Sequence, residues 1–93
     1  MRVVFSRRAL RQIRAIADHV EQYSPQAARD VEEAIRDATR KLAQHSHIGL
    51  ATDEPGVRKL ITARFGYLIF YGLFEDRGEV VILRVRHGAR NPF

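Results

Sequence analysis

The residues best suited to chemistry lie near the C-terminal end of the sequence. His87 follows an alternating apolar segment that also carries Arg84 and Arg86, and Arg90 comes three residues later. An imidazole exchanges a proton near neutral pH and guanidinium groups stabilise a pentavalent phosphate, so this set has what metal-free RNA cleavage requires. The same residues fit a patch that binds phosphate or carboxylate without chemistry, or a histidine that only caps a sheet edge. Spacing alone leaves all three interpretations open.

Other kinds of site find little support in the sequence. Four histidines include the pair His45-x-His47, but there is no cysteine and no third ligand at a recognisable spacing, so no metal site is predicted. Glycine-rich phosphate loops and Gly-x-Ser-x-Gly elbows are also missing. We therefore expect no cofactor, and nucleotide-dependent and serine-hydrolase chemistry are excluded.

The charge distribution suggests a polyanionic partner. Sixteen Lys and Arg against eleven Asp and Glu give a net charge of +5. Residues 1–17 contain five arginines and residues 80–93 contain three, and neither segment contains an acid. Such basic ends suit nucleic acid or an acidic protein segment, although ordinary solubility accounts for the same excess.

Two amphipathic helices are predicted to position these residues. Apolar residues recur at helical spacing after Ser6, which predicts a helix ending near Glu21 or Gln22. Ser24 and Pro25 begin a second helix, because serine caps a helix and proline suits its first position. Small alanines let the two helices pack closely as a hairpin.

The remainder of the chain has the two-residue period of strands. The predicted strands are Arg2–Phe5, Val57–Thr62, Tyr67–Phe74 and Glu79–His87, with a turn at Phe65-Gly66 and a tail from Gly88. The predicted fold is α+β with the order β-α-α-β-β-β: a helical hairpin packed on a mostly antiparallel four-stranded sheet, in one domain over residues 1–93.

Two strands carry more specific predictions. The third is apolar on both faces, which is typical of a covered central strand, so its aromatic residues are interpreted as core rather than as a base-stacking platform. These residues are Tyr67, Phe70, Tyr71 and Phe74. In the last strand, Val81, Leu83 and Val85 are expected on one face and the two arginines on the other. Aspartate at Leu83, or at Ile35 in the second helix, is therefore expected to unfold the domain.

No membrane segment is predicted. The longest nearly apolar stretch, Gly66 to Phe74, is far shorter than the ~20 residues of a membrane helix, and the apolar run at residues 3–5 is too short for a signal peptide. We expect a cytoplasmic protein without a membrane partner.

Three runs of residues carry a resemblance to a known family. They are Arg58-Lys59-Leu60, Phe65-Gly66-Tyr67-Leu68-Ile69-Phe70-Tyr71 and Val81-Ile82-Leu83-Arg84-Val85-Arg86-His87-Gly88-Ala89-Arg90. In this order the chain resembles, over nearly its whole length, the RelE/ParE superfamily of toxins from type II toxin–antitoxin systems, and more closely its ParE (plasmid-stabilisation) branch. RelE-like members are ribosome-dependent mRNA endonucleases, whereas ParE-like members inhibit DNA gyrase and are not known to be enzymes.

Two departures favour the ParE branch. Leu68 stands where many of the nucleases have an arginine, and Gly88 follows His87 where they tend to have a tyrosine. The resemblance therefore implies a growth-inhibiting toxin that acts on DNA gyrase, has no catalytic residue, and is neutralised by a cognate antitoxin with a small acidic C-terminal segment. One alternative is a metal-independent endoribonuclease acting on ribosome-bound mRNA through His87, Arg84 and Arg90. Another is a non-catalytic basic nucleic-acid-binding module.

The resemblance and the charge pattern together give a set of predicted contact residues. The residues expected to contact the target or the antitoxin are Arg58, Lys59, Arg64, Tyr71, Arg84, Arg86, His87 and Arg90.

Overall fold

The two predicted helices are present in the computed structural model, which describes residues 1–88. Helix α1 runs over Arg7–Glu21 and α2 over Pro25–Gln44. The hydroxyls of Ser6 and Ser24 cap them, each accepting from the backbone N–H three residues on, at 3.0 and 3.1 Å. Such a cap stabilises a helix by about 1 kcal/mol, because that N–H has no partner within the helix. Neither helix of residues 1–88 is long and apolar enough to cross a membrane.

Within residues 1–88 the sheet has five strands rather than the predicted four. They are β1 (Arg2–Phe5), β2 (Leu50–Ala51), β3 (Val57–Ile61), β4 (Tyr67–Phe74) and β5 (Glu79–His87), in the spatial order β1-β5-β4-β3-β2. β1 and β5 are parallel, and the other pairs are antiparallel. The additional strand β2 has only two residues, both exposed, so it shows no alternation that a sequence pattern could detect.

The helical hairpin covers one face of the sheet, and the core lies between them. The core cluster consists of Ala9, Val31, Ile35, Ala38, Leu42, Tyr67, Ile69, Tyr71, Val80, Ile82 and Val85. Burial of three of the four aromatic residues of β4 confirms the prediction that they belong to the core. Phe74 departs from it, because this last residue of the strand is 37% exposed.

A β-bulge in β5 changes the predicted faces of that strand. Phe70 pairs with Arg84 while the next residue, Tyr71, pairs with Ile82, so Leu83 is an extra residue without a partner of its own. The residues that face the helices are therefore Val80, Ile82 and Val85. The prediction that Leu83 shares a face with Val85 was wrong, because the bulge shifts the alternation by one residue.

Helix α1 stabilises the bulge. The Ser6 hydroxyl donates to the carbonyl of Leu83 at 2.9 Å, and the side-chain oxygen of Gln12 accepts from the N–H of Val85 at 2.7 Å. Since a bulge interrupts the regular ladder, these bonds satisfy backbone groups that would otherwise lack partners. The two arginines of β5 are thereby held on the face opposite the helices.

Candidate functional site on the outer sheet face

Arg84 and Arg86 lie on the sheet face that the helices leave uncovered. Their guanidinium groups lie over the ring of Phe70, 4.2 and 5.0 Å from its centroid. Phe70 is therefore only 5% exposed, although neither α1 nor α2 packs on this side. Each such contact contributes about 0.5–1 kcal/mol at an exposed site. The sequence predicted that β4 is covered on both of its faces. On this face the cover consists of arginine side chains.

A basic surface results, which we call the outer face: Lys59, Phe70, Arg84 and Arg86. Its apolar floor consists of Val57, Leu68, Phe70 and Leu83. Lys59 pairs directly with Phe70 across β3 and β4, and directly paired residues project from the same face of a sheet. At the rim, the Glu54 carboxylate lies 3.3 Å from the guanidinium of Arg84. Neither Phe70 nor Glu54 was predicted to belong to this surface, although the alternation of β4 already placed Phe70 opposite Tyr71.

His87 lies on the other side of the sheet from the two arginines. It pairs with Tyr67, and the two rings meet edge to face with their centroids 4.9 Å apart. Both rings line a cavity of about 250 Å³ together with Ile16 and His19 of α1. Because neighbouring residues of a strand project to opposite faces, the side chains of His87 and Arg86 leave the sheet on opposite sides.

The three residues predicted for the ribonuclease alternative are therefore not brought together. His87 and Arg84 are on opposite faces, and Arg90 lies outside the described residues. Within residues 1–88, no group of three His, Asp or Glu side chains is arranged to hold a metal ion.

Tyr71 and Arg58 hold the connection between α2 and β2 through hydrogen bonds to its backbone. Tyr71 is fully buried, and its hydroxyl accepts from the N–H of Gly49 and donates to the carbonyl of Ser46, both at 2.9 Å. Arg58, directly opposite on β3, donates to the carbonyls of Gly49 and His47 at 2.7 and 3.2 Å. Both were predicted contact residues, and in this structure their side chains anchor the loop.

Removing the hydroxyl of Tyr71 is expected to destabilise the protein. Tyr71→Phe leaves the N–H of Gly49 without its acceptor, which costs about 1–3 kcal/mol in a buried position. Chemical denaturation should show that loss as a lower midpoint with an unchanged slope. Tyr23→Phe is the matched control, because Tyr23 is 78% exposed. Equal midpoints for the two variants would contradict the anchoring role.

Arg64 also lies apart from the outer face. It lies on the turn between β3 and β4, with its guanidinium 4.9 Å from the ring centroid of Phe65 and 3.9 Å from the carboxylate of Asp30 in α2. Phe65 itself has a left-handed φ of 69°, which a bulky side chain rarely adopts, and Gly66 follows at 64°. Of the predicted contact residues within the described part of the chain, the outer face brings together Lys59, Arg84 and Arg86.

Two helices on one face of a five-stranded sheet, with arginines on the other face, define a small α+β protein of the RelE/ParE fold. Comparison with known families then gives a more specific result. The model of the family described as "ParE toxin of type II toxin-antitoxin system, parDE" matches residues 3–92. The chain belongs to this family, and it is a toxin of a type II toxin–antitoxin system.

Individual relatives agree with this assignment. Toxin RelE2 of Caulobacter vibrioides is 37% identical over 89 residues, which are 95% of this chain and 96% of that protein. A chain from the structure "Chromosomal ParDE TA system from P. aeruginosa" has a TM-score of 0.80 at 26% identity, covering 94% of this chain and 95% of that one. A chain of the intact E. coli RelBE toxin–antitoxin complex has a TM-score of 0.64 at 15% identity, covering 96% and 98%, and shows the fold alone. The predicted fold class is confirmed.

Proposed function

We propose that this toxin inhibits DNA gyrase by binding it through the outer face, and that it does not cleave RNA. The observation that carries the proposal is the alternation along β5, which separates His87 from Arg84 and Arg86. Metal-free RNA cleavage needs a proton-transferring group and a phosphate-stabilising group at one phosphate. An inhibitor that only binds needs the arginines alone.

The composition of the outer face supports a protein target. Arginine and aromatic residues are enriched at the centre of protein interfaces, and here both arginines surround a buried phenylalanine. Leu68 belongs to the apolar floor and cannot donate a hydrogen bond to a phosphate. Gyrase acts on DNA in the cytoplasm, so this proposal places the toxin in the cytoplasm as well.

We also propose a cognate antitoxin whose acidic segment covers the outer face. The net charge of +5 and the basic side chains of this face attract such a segment, and folding upon binding lets a short chain wrap a large surface. The comparison structures include a toxin–antitoxin complex, RelBE of E. coli. If the product of the neighbouring small gene neither co-purified with the toxin nor restored growth, this partner assignment would be wrong.

Replacement of His87 distinguishes the proposed gyrase inhibitor from the ribonuclease alternative. His87→Gln keeps a hydrogen-bonding group but cannot carry a proton, so most of the growth inhibition should persist. A nuclease that depended on this group would lose about 10²–10⁴-fold in rate. The matched control is His45→Gln, because His45 is an exposed histidine just after α2.

Growth after induction is measured together with two assays. These are primer extension on mRNA and supercoiling by purified gyrase. Inhibited supercoiling with intact mRNA, in both wild type and His87→Gln, is the expected result. Discrete ribosome-dependent cuts that disappear in His87→Gln, with supercoiling unaffected, would instead establish the endoribonuclease. If the protein neither inhibited supercoiling nor cut mRNA but bound nucleic acid, the result would support the alternative of a non-catalytic nucleic-acid-binding module.

A further inference from the structure

We propose that α1 carries a second binding surface, whose ligand is the phosphate backbone of double-stranded DNA. It consists of Arg7, Arg8, Arg11 and Arg14, which we call the α1 arginine face; all four are exposed. Arg7, Arg11 and Arg14 are spaced by four and three residues, so they form one stripe along the helix, with Arg8 beside it. The inference does not rest on the gyrase proposal.

The cations of this face have no anionic partner within residues 1–88. None of the four takes part in an ion pair or donates a side-chain hydrogen bond there. Asp18 is four residues from Arg14, and both line a shallow cavity with Glu21, whereas Arg7, Arg8 and Arg11 have no acid within one turn of α1. Helix α2 differs, since Arg29 donates to Gln26 and Arg40 pairs with Asp37 at 3.0 Å. The positive potential of α1 is therefore available to a ligand.

The arrangement is unfavourable for the isolated helix. Arg7 and Arg8 lie in the first turn, where the helix dipole is positive and acids are preferred, and that turn contains no acid. Arg7 and Arg11, four residues apart, and Arg11 and Arg14, three apart, are also like-charge neighbours that repel. An anion bound along the stripe would relieve both effects.

The surroundings of the stripe favour a duplex over other polyanions. Protein interfaces are built on apolar and aromatic anchors, and single strands are bound by aromatic side chains on which bases stack. The α1 arginine face contains no aromatic residue; exposed Leu10, three residues from Arg7 and four from Arg14, borders it and lines the groove towards Val3 and Phe5 of β1. Arg7 to Arg14 span about 10 Å of helix, along which a DNA strand presents about three phosphates. An arginine stripe of this length suits contacts to the phosphates of the DNA backbone. Such contacts do not read the base sequence.

This surface and the outer face lie on opposite sides of the sheet. Helix α1 packs on the face that contains Ile82 and Val85, whereas Arg84 and Arg86 project from the other. DNA bound along α1 would therefore leave the outer face accessible to a protein. One toxin molecule could contact both at the same time.

The test measures the salt dependence of binding to a fluorescein-labelled duplex of arbitrary sequence by anisotropy. Because each neutralised phosphate contributes about −0.9 to the slope of log K against log salt, the three phosphates along the stripe predict a slope of about −2.7. The variant R7Q/R8Q/R11Q/R14Q should lose most of that slope, and its affinity at ~50 mM salt should fall at least ~30-fold. The control R29Q/R36Q/R40Q/K41Q removes the same four charges from exposed positions of α2 and should bind nearly as wild type.

Circular dichroism shows whether each variant is folded, and loss of the repulsive neighbours should leave the α1 variant at least as stable as the control. Equal losses of affinity in the two variants would mean that net charge alone attracts DNA, which overturns the proposal. So would a poly-glutamate or a single-stranded oligonucleotide of matched length that binds the wild type as tightly as the duplex. An unchanged slope in the α1 variant would exclude the face directly.

Discussion

Reversing the charges of Arg84 and Arg86 is expected to abolish growth inhibition. In Arg84→Glu/Arg86→Glu the two cations over Phe70 become anions beside Glu54, so a partner selected by the outer face would meet repulsion where it met attraction. Like-charge contacts in an interface cost several kcal/mol, and 1.4 kcal/mol is tenfold, so the concentration that inhibits gyrase should rise at least ~100-fold. A supercoiling assay with purified components measures this, and plating after induction measures the effect in cells.

A matched reversal on α2 is the control for net charge. Arg29→Glu/Arg36→Glu also replaces two exposed arginines, and each double variant has a net charge of +1 instead of +5 because each reversal removes two charges. Thermal melts of both variants are needed, since loss of the arginines also uncovers Phe70. Full inhibition by a folded Arg84→Glu/Arg86→Glu protein would exclude the outer face as the target surface. An equal loss of inhibition in the α2 variant would mean that the net charge, and not the outer face, causes the effect.

Aspartate at Ile35 is expected to unfold the protein. Ile35 is 2% exposed within the core, where an unpaired carboxylate lacks both water and a cation. Loss of the apolar side chain alone costs about 2–5 kcal/mol, and the buried charge adds several more, against a total stability of roughly 5–14 kcal/mol for a chain of this length. Circular dichroism should show no cooperative melt, whereas Ile35→Val should lose only ~1 kcal/mol.

Aspartate at Leu83 is now expected to have a much smaller effect. Leu83 is only partly buried, on the outer face next to the arginines, so a carboxylate there reaches water. The expected loss is about 1–2 kcal/mol, and Leu83→Asp should retain a cooperative melt. A melt of Ile35→Asp close to that of the wild type, or complete unfolding of Leu83→Asp, would contradict the assignment of these two residues to different sides of the sheet.

The helices and the longer strands could be predicted because their signals are local. Ser6 and Ser24 cap helices at the positions that the sequence indicated, since a cap acts on a backbone N–H only three residues away. Apolar residues at helical spacing, and the continuous apolar run of β4, require a buried environment wherever they occur. The two helices and the four longer strands followed from these features, and the resemblance of three sequence runs indicated the family; the comparisons confirm the fold class and the family.

Residue roles at the candidate site depended on contacts between segments far apart in the chain. The bulge at Leu83 is held by Ser6 and Gln12, more than 70 residues away, and no pattern within β5 could indicate which residue is the extra one. Strand β2 exists only because Leu50 and Ala51 meet the edge of β3. Tyr71 was among the predicted contact residues, and its two hydrogen bonds go to a loop that the tertiary structure brings over it.

The sequence by itself determined that this protein is a basic α+β toxin of the RelE/ParE type with arginines in its last strand. Only the tertiary structure decided that Arg84 and Arg86 share a face with Phe70 while His87 faces α1. The physical reason is the two-residue period of a strand: a single inserted residue exchanges the faces of everything beyond it. The amino-acid composition of β5 is the same with or without the bulge, but the bulge changes which side chains lie on the same face and can contact the same ligand.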